Sequence, residues 1–302
     1  MSDIASDLSD RLASVAASAG AAVVRVEGRR RAASSGVVFG ADGAVVTAHH
    51  CLDWDEGIRV GLADGVTVPA ALVGRDPSTD LALLRVQATG LATPSWTGPE
   101  EARVGQLVLG LSRPERGIRA GLGVVSATGE AWRTPAGSRV DRYIEADLAL
   151  HAGFSGGLVV DASGRALGIE TAGLVRGTAV VLPAPTVRRV AESLAAHGHV
   201  RRGFLGVGTM PVRLGAEQEK ALGQPTALLV TSVQPDSAAA RAGVLLGDAL
   251  LAFDGHALHR PGDLFARLDE DAIGRCATLR VLRAGEVRDV AAQVGARDAR
   301  TA

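Results

Sequence analysis

Three segments carry side chains that could do chemistry together. Gly153-Phe154-Ser155-Gly156-Gly157 sets a hydroxyl among glycines, and a tight turn of that kind leaves backbone N–H groups free to hold an oxyanion. Val45-Val46-Thr47-Ala48-His49-His50-Cys51 ends an apolar run on two histidines, and an imidazole titrates close enough to neutrality to shuttle a proton. Asp76-Pro77-Ser78-Thr79-Asp80-Leu81-Ala82-Leu83-Leu84 opens another apolar run with a carboxylate, a group that can orient an imidazole and stabilise its charged form. Each has a plain structural reading when taken alone: a β-turn, a core or surface histidine, a turn or cap residue. Together they point to acyl transfer, in which the hydroxyl attacks a carbonyl, the imidazole takes its proton and the carboxylate fixes the imidazole.

Three groups so far apart in the chain need a scaffold that folds them back together. Ile4, Leu8, Leu12 and Val15 share one face of a helix predicted over residues 3–19. Short β-rich runs come next: 22–26, 36–39, 44–47, 58–62, 67–73, 81–86, 106–111, 121–127, 142–145, 158–160, 166–171 and 179–183. Asp42-Gly43, Asp64-Gly65, Asp76-Pro77 and Ser163-Gly164 separate them. Many short strands with turns this regular predict an all-β barrel or sandwich. A helical period over 186–196 then breaks at His197-Gly198-His199, which sets a domain boundary. The remainder, 203–296, alternates strands with helices predicted at 238–242 and 263–268.

Composition bounds the function. The chain has 302 residues, 47% of them apolar, and a net charge of −1. It is no disordered polyelectrolyte, and it lacks the basic footprint of a nucleic-acid-binding protein. The run Arg29-Arg30-Arg31 reads as a solvated loop, and the lone lysine, Lys220, carries no mechanism. Cys51 and Cys276, the two cysteines, make no disulfide framework. No apolar run is long enough for a membrane helix. The acidic start, Met1-Ser2-Asp3-Ile4-Ala5-Ser6-Asp7, is unlike a signal peptide; the expectation is a cytoplasmic protein, or a periplasmic one if the start codon is misassigned. His197 and His199 are spaced for metal ligation but lack companion ligands, so neither a metal nor another cofactor is expected.

The order His, Asp, Ser is that of chymotrypsin-like enzymes, and the chain resembles the HtrA/Deg serine proteases over nearly its whole length. Thr47 to His50, residues 76–84 and residues 153–157 match that family's three active-site motifs. Arg202-Gly203-Phe204-Leu205-Gly206-Val207, Pro235-Asp236-Ser237-Ala238, Ala242-Gly243-Val244 and Gly247-Asp248 are similar to its PDZ portion. The resemblance implies a chymotrypsin-like double β-barrel followed by an α+β PDZ domain: an N-terminal helical segment (1–20), a protease domain (21–197) and a PDZ domain (203–296). It implies His50, Asp80 and Ser155 as the catalytic triad. His50 is preferred to His49 by the motif, and because neighbours on a strand point opposite ways. It also implies Gly153 and Ser155 as oxyanion-hole donors, Ala149 at the base of the pocket for the residue before the scissile bond, and Glu170 and Thr171, with Ala172, as a strand edge for substrate backbone. Ala149 predicts small or medium apolar residues in that pocket. Phe204, Leu205, Gly206, Val207, Leu264 and Leu268 are the expected groove for peptide C-termini.

The same resemblance implies an endopeptidase of protein quality control, acting on unfolded polypeptides as a homotrimer with Ile4 to Val15 as a docking face. Phe154 stands where the family usually has Asn, Leu158 where it has Pro, and His151 and Ala152 where Asn and Pro are common; Cys51 is expected as a buried free thiol. Phe154 supports the alternative of a catalytically quiet peptide-binding scaffold or chaperone that has kept its triad.

Overall fold

The computed structural model describes residues 3–30, 32–98, 101–149, 151–175 and 177–296. They form two compact units, one running to Val200 and the other from Arg201, with Ala136–Ser138 counted in the second.

The first unit opens with helix α1 (Ile4–Gly20), whose first turn is capped by the Asp3 carboxylate accepting from Ala5 N–H at 3.1 Å. Six strands then close a barrel: β1 (Val23–Glu27), β2 (Ser34–Gly40), β3 (Ala44–Ala48), β4 (Arg59–Gly61), β5 (Thr67–Asp76) and β6 (Leu81–Val86), in the order β1-β2-β3-β6-β5-β4. Six more close a second barrel: β7 (Leu107–Ser112), β8 (Arg119–Gly129), β9 (Tyr143–Ala146), β10 (Leu158–Asp161), β11 (Ala166–Thr171) and β12 (Val180–Pro183), in the order β9-β12-β11-β10-β7-β8. Both barrels are antiparallel and closed on themselves, so they leave no long edge to aggregate.

The β-branched runs explain why. Val24, Val26, Val38, Val45, Ile58 and Val60 fill the first barrel; Val108, Val125, Ile144, Val159, Leu167 and Val181 fill the second. The opposite faces of β3, β6, β10 and β11 are buried as well, joined by Val187, Val190 and Leu194 of helix α2 (Ala184–His197). Central strands are therefore apolar on both faces, and their sequence reads as continuous hydrophobic runs rather than clean alternation. Arg113 ties α1 to this core: its buried guanidinium donates to Gly20 O (2.9 Å), Val23 O (2.7 Å) and Arg116 O (2.9 Å). Gly198, with φ 74°, ends α2 in the left-handed conformation that glycine adopts most readily. Among the described residues no helix is long and apolar enough to cross a membrane.

The second unit is a sheet in the order Val207–Arg213, Thr226–Val233, Ala249–Phe253, Cys276–Arg283, Glu286–Gln293, with short helices at Ala216–Leu222, Ala238–Ala242 and Pro261–Phe265. The first of these has no signature in the sequence because it buries no residue and so carries no apolar stripe to betray it. The helix predicted at 263–268 starts earlier, at Pro261, and ends at Phe265.

One ion pair anchors this sheet. Asp248, 1% exposed, accepts from Arg283 Nε and Nη2 at 2.7 Å each and from Leu245 N–H at 2.8 Å. Burial alone would raise this carboxyl; the Arg283 and Leu245 hydrogen bonds outweigh it and hold the group below its ordinary value. Asp248→Ala takes the carboxylate from Leu245 N–H and leaves the Arg283 guanidinium with the Gly243 carbonyl alone, and is expected to destabilise this unit by about 2 kcal/mol. Faster amide exchange along Ala249–Phe253 would register the loss.

Candidate active site

Asp80 is placed by a tied turn between β5 and β6. The Asp76 carboxylate accepts from Thr79 Oγ1 at 2.7 Å and from the Ser78 hydroxyl. Asp80 itself has φ 57°, a left-handed conformation that aspartate tolerates better than most residues. The turn brings Asp80 beneath the two histidines. Its carbonyl accepts from His49 N–H at 2.9 Å, its Oδ1 from His50 N–H at 2.9 Å, and its Oδ2 lies 2.7 Å from His50 Nδ1.

The histidines do not lie on a strand. β3 ends at Ala48, and His49–Cys51 form a single 3-10 turn. The opposed directions of strand neighbours therefore do not separate His49 from His50; the bond from the His50 ring to Asp80 Oδ2 does. An ionised carboxylate can only accept, so Nδ1 of His50 carries the hydrogen and Nε2 is left as the basic nitrogen. The imidazole is about a third exposed and the carboxylate nearly buried.

Thr171, at the end of β11, donates its hydroxyl to Asp80 Oδ2. Burial would raise the Asp80 carboxyl, but the hydrogen bonds from His50 and Thr171 prevail and lower it. The same bond from Asp80 holds His50 well above its ordinary value. Gly173 lies flat against the pair: a Cβ there would come 2.7 Å from His50 Nδ1 and overlap Asp80 Oδ2.

Ser155 sits half-buried on the turn before β10. Its carbonyl accepts from Ser35 N–H at 3.4 Å and from Cys51 Sγ at 3.9 Å. Its Oγ accepts from Ala172 N–H at 3.4 Å, one residue before the glycine that covers the His50–Asp80 pair. The structure thus joins His50 to Asp80 directly and brings Ser155 to the adjoining segment; among the described residues no hydrogen bond links Ser155 to His50.

The turn around Ser155 is shaped by glycine. Gly153 has φ 91° and Gly156 φ 83°, values that strain any residue with a Cβ. Ser35, wholly buried, donates its hydroxyl to Gly153 O at 2.7 Å and accepts from Arg113 N–H at 2.8 Å. The N–H groups of Gly153 and Ser155 meet no acceptor among the described residues. Phe154 is turned inward and 4% exposed, with its ring centroid 5.5 Å from that of His151 and its ring beside Gly121. The large ring is thus an apolar anchor beneath the turn. Cys51 is a buried free thiol.

The pocket residues fall differently from expectation. Ala149 is exposed, and its carbonyl accepts from His151 N–H at 2.8 Å; it forms no buried floor. Glu170 is 1% exposed, and its N–H and C=O are taken by Gly157 O and Gly156 N–H at 2.9 Å each. It therefore cannot offer a free edge to substrate, because both its backbone groups are already spent in the sheet. Thr171 is also fully buried and pairs with Val180. Sequence reasoning misses Ser35 and Gly173, and does not assign Thr171 its bond to Asp80. Only chain folding brings them to His50, Asp80 and the Ser155 turn, and no spacing marks them.

In the second unit Phe204, Leu205, Gly206, Val207, Leu264 and Leu268 line one groove. Gly206 has φ 78°, and a Cβ there would overlap Ser237. The N–H groups of Leu205 and Gly206 find no acceptor among the described residues. Leu264 and Leu268 are both core and groove wall, 3% and 9% exposed. His199 Nδ1 is bonded to His197 O at 2.9 Å, and among the described residues no cluster could hold a metal ion.

Residues 34–169 match the trypsin-like peptidase domain, and residues 203–294 the PDZ domain. A probable periplasmic serine endoprotease, DegP-like, of Brucella suis is 33% identical over 273 residues, 88% of this chain and 53% of that protein; a namesake in Halomonas elongata is 32% identical, covering 88% and 57%. The chain thus spans about half the length of the curated relatives it matches. A solved HtrA-type protease, AlgW with tripeptide, superposes with a TM-score of 0.73 at 30% identity, over 95% of this chain and 97% of that one. The serine endoprotease from Yersinia pestis gives 0.74 at 27%, over 95% and 98%. The cytoplasmic placement expected from the acidic start is overturned by these relatives, which are named periplasmic. Two closed six-stranded barrels, a PDZ domain after them in the chain and relatives of this kind make one conclusion: the chain belongs to the HtrA/Deg family of serine proteases.

Proposed function

We propose that this chain is a serine endopeptidase that cleaves unfolded polypeptides by acyl transfer, with Ser155 as nucleophile, His50 as general base and Asp80 as the group that fixes the imidazole. The observation that carries the reading is the His50–Asp80 bond, seconded by Thr171 and covered by Gly173, with Ser155 Oγ held one residue away on Ala172 N–H. His50 Nε2 takes the Ser155 proton as Oγ attacks the carbonyl, and returns it to the leaving amine. The N–H groups of Gly153 and Ser155 hold the developing oxyanion; among the described residues they have no other acceptor to give up. The acyl-enzyme is then released by water, with His50 again as base.

A catalytically quiet scaffold is the second reading, favoured by the Ser155 hydroxyl resting on Ala172 rather than on His50. A fluorophosphonate probe separates the two. Labelling of the native chain but not of Ser155→Ala supports the enzyme; absence of labelling with peptide binding intact supports the scaffold.

Ser35 offers a finer test. Its hydroxyl holds the Gly153 carbonyl and so sets the direction of the Gly153 turn. Ser35→Ala is expected to lower kcat about 10²-fold, the scale of a misplaced reacting geometry, with KM nearly unchanged in steady-state peptide hydrolysis. An equal change in KM would count against the positioning role.

The PDZ groove takes peptide C-termini in this reading, with Leu205 and Gly206 N–H groups receiving the carboxylate and Leu264 and Leu268 the last side chain. Titration with a peptide ending in an apolar residue should show binding that amidation of its C-terminus abolishes. The periplasm, where the relatives are named to act, is the proposed compartment.

A further inference from the structure

Arg113 is a buried cation that the proposed reaction does not use. It directly follows β7, and its guanidinium donates to three carbonyls, Gly20 O, Val23 O and Arg116 O. Gly20 is the last residue of α1. The final carbonyls of a helix have no partner within it and form its negative end, so a cation held there is favoured. The last turn of α1 carries no basic residue of its own; Arg113, 93 residues further along the chain, supplies the charge.

The backbone of the same residue serves the Ser155 turn. Arg113 N–H donates to Ser35 Oγ at 2.8 Å, and that hydroxyl donates to Gly153 O at 2.7 Å. Ser35 N–H donates in turn to Ser155 O at 3.4 Å. Pro114, the next residue, lies against Gly153: a Cβ built on Gly153 would come 2.5 Å from Pro114 Cβ. Further along the segment Ile118 packs on the helix end, where a Cβ built on Gly20 would come 2.9 Å from Ile118 Cγ1. Residues 113–118 therefore touch both the end of α1 and the turn that carries Gly153.

A guanidinium is a rigid planar fork, so three carbonyls hold it in one place, and the N–H of the same residue is held with it. A hydroxyl has a single hydrogen. With its oxygen accepting from Arg113 N–H, Ser35 keeps that hydrogen for Gly153 O. Resting on the endopeptidase reading above, in which Gly153 and Ser155 hold the oxyanion, we propose that Arg113 is a positioning residue that makes the Gly153 turn depend on the docking of α1. The helix end holds the guanidinium, and the Arg113 backbone, through Ser35, holds Gly153. Release of α1 frees the guanidinium and, with it, the turn.

The test uses the full chain. Arg113→Met keeps the stem and the backbone N–H but removes the bonds to the three carbonyls. It should lower kcat about tenfold, less than the loss of an oxyanion donor outright, with KM nearly unchanged. Two inhibitors separate positioning from stability. A peptide aldehyde, whose adduct with Ser155 places an oxyanion in the hole, should bind about tenfold less tightly. The matching peptide alcohol, which forms no adduct, should bind as before; a partly unfolded variant would weaken both by the same factor. Arg113→Lys, which keeps a charge at the helix end without the fork, should recover part of the loss. Val15, 8% exposed, seats α1 on the core, and Val15→Asp should release the helix, read as faster amide exchange along Ile4–Gly20. It should lower kcat about tenfold in the native background and change it little in Arg113→Met. Should Val15→Asp not fold, the inhibitor pair decides. An unchanged kcat in Arg113→Met, equal weakening of the two inhibitors, or an equal effect of Val15→Asp in both backgrounds overturns the proposal while leaving the endopeptidase standing. A native chain that takes no fluorophosphonate and cleaves no peptide ends the endopeptidase reading, and the inference with it.

Discussion

Ser155→Ala is expected to lower kcat about 10⁶-fold, with KM for peptide and PDZ binding of C-terminal peptides both retained. The magnitude is that of removing the nucleophile from an acyl-transfer triad, where the remaining members cannot act without it. The substitution removes one oxygen from a half-buried turn whose shape depends on Gly153, Gly156 and the Ser35 hydroxyl rather than on Ser155 Oγ, so the fold should survive. The only protein hydrogen bond lost among the described residues is the long one from Ala172 N–H. Single-turnover assays with purified variant, together with the thermal midpoint, would measure this. A loss of less than about 10²-fold would show that some other group attacks, and the triad assignment would fall.

Asp80→Asn is the second large effect, expected at about 10⁴-fold in kcat. The carboxamide can present an N–H to His50 Nδ1 and hold the ring in the wrong tautomer, with the hydrogen on Nε2, where a general base needs a lone pair. The pH dependence carries a further signature. Asp80 raises the His50 pKa, so neutral imidazole, the active form, accumulates only as pH rises above its ordinary value near 6.5. The acidic limb of kcat/KM in the native chain should therefore lie above pH 6.5. It should move down in Asp80→Asn even as the plateau falls.

The same pair shapes stability. His50, raised, contributes stability that is complete below about pH 6.5 and fades as pH climbs through its folded value. Asp80, lowered, contributes stability above its ordinary 3.8 that is lost as pH falls through its folded value. Urea unfolding across pH should show a native optimum between those limits, and a flatter profile in Asp80→Asn.

Much of this architecture is legible from residues alone, because buried β-strands announce themselves. The valine and leucine runs of β1, β3, β6, β10 and β12 sit where hydrophobic patterning places them, since a strand buried on both faces has little choice but to be apolar throughout. Strand ends are less legible. The pattern ends β3 at Thr47, whereas the strand runs to Ala48, and the histidines beyond it enter a 3-10 turn that no pattern of period two could anticipate. Helix Ala216–Leu222 is invisible for the opposite reason: with no residue buried, nothing apolar recurs.

The sequence by itself determined the chemical inventory: a hydroxyl among glycines, an imidazole after a buried strand, a carboxylate before another, and a second domain similar to PDZ domains. Those are local facts, carried by the residue types of short motifs. The tertiary structure alone decided which groups surround them. Ser35 reaches the Gly153 carbonyl, Thr171 reaches Asp80, Gly173 covers the His50–Asp80 pair, and Glu170 turns from an expected strand edge into an acid sealed inside a barrel. Each of these depends on how two closed sheets bring distant strands into register, and register is a property of the whole fold that no stretch of chain holds alone.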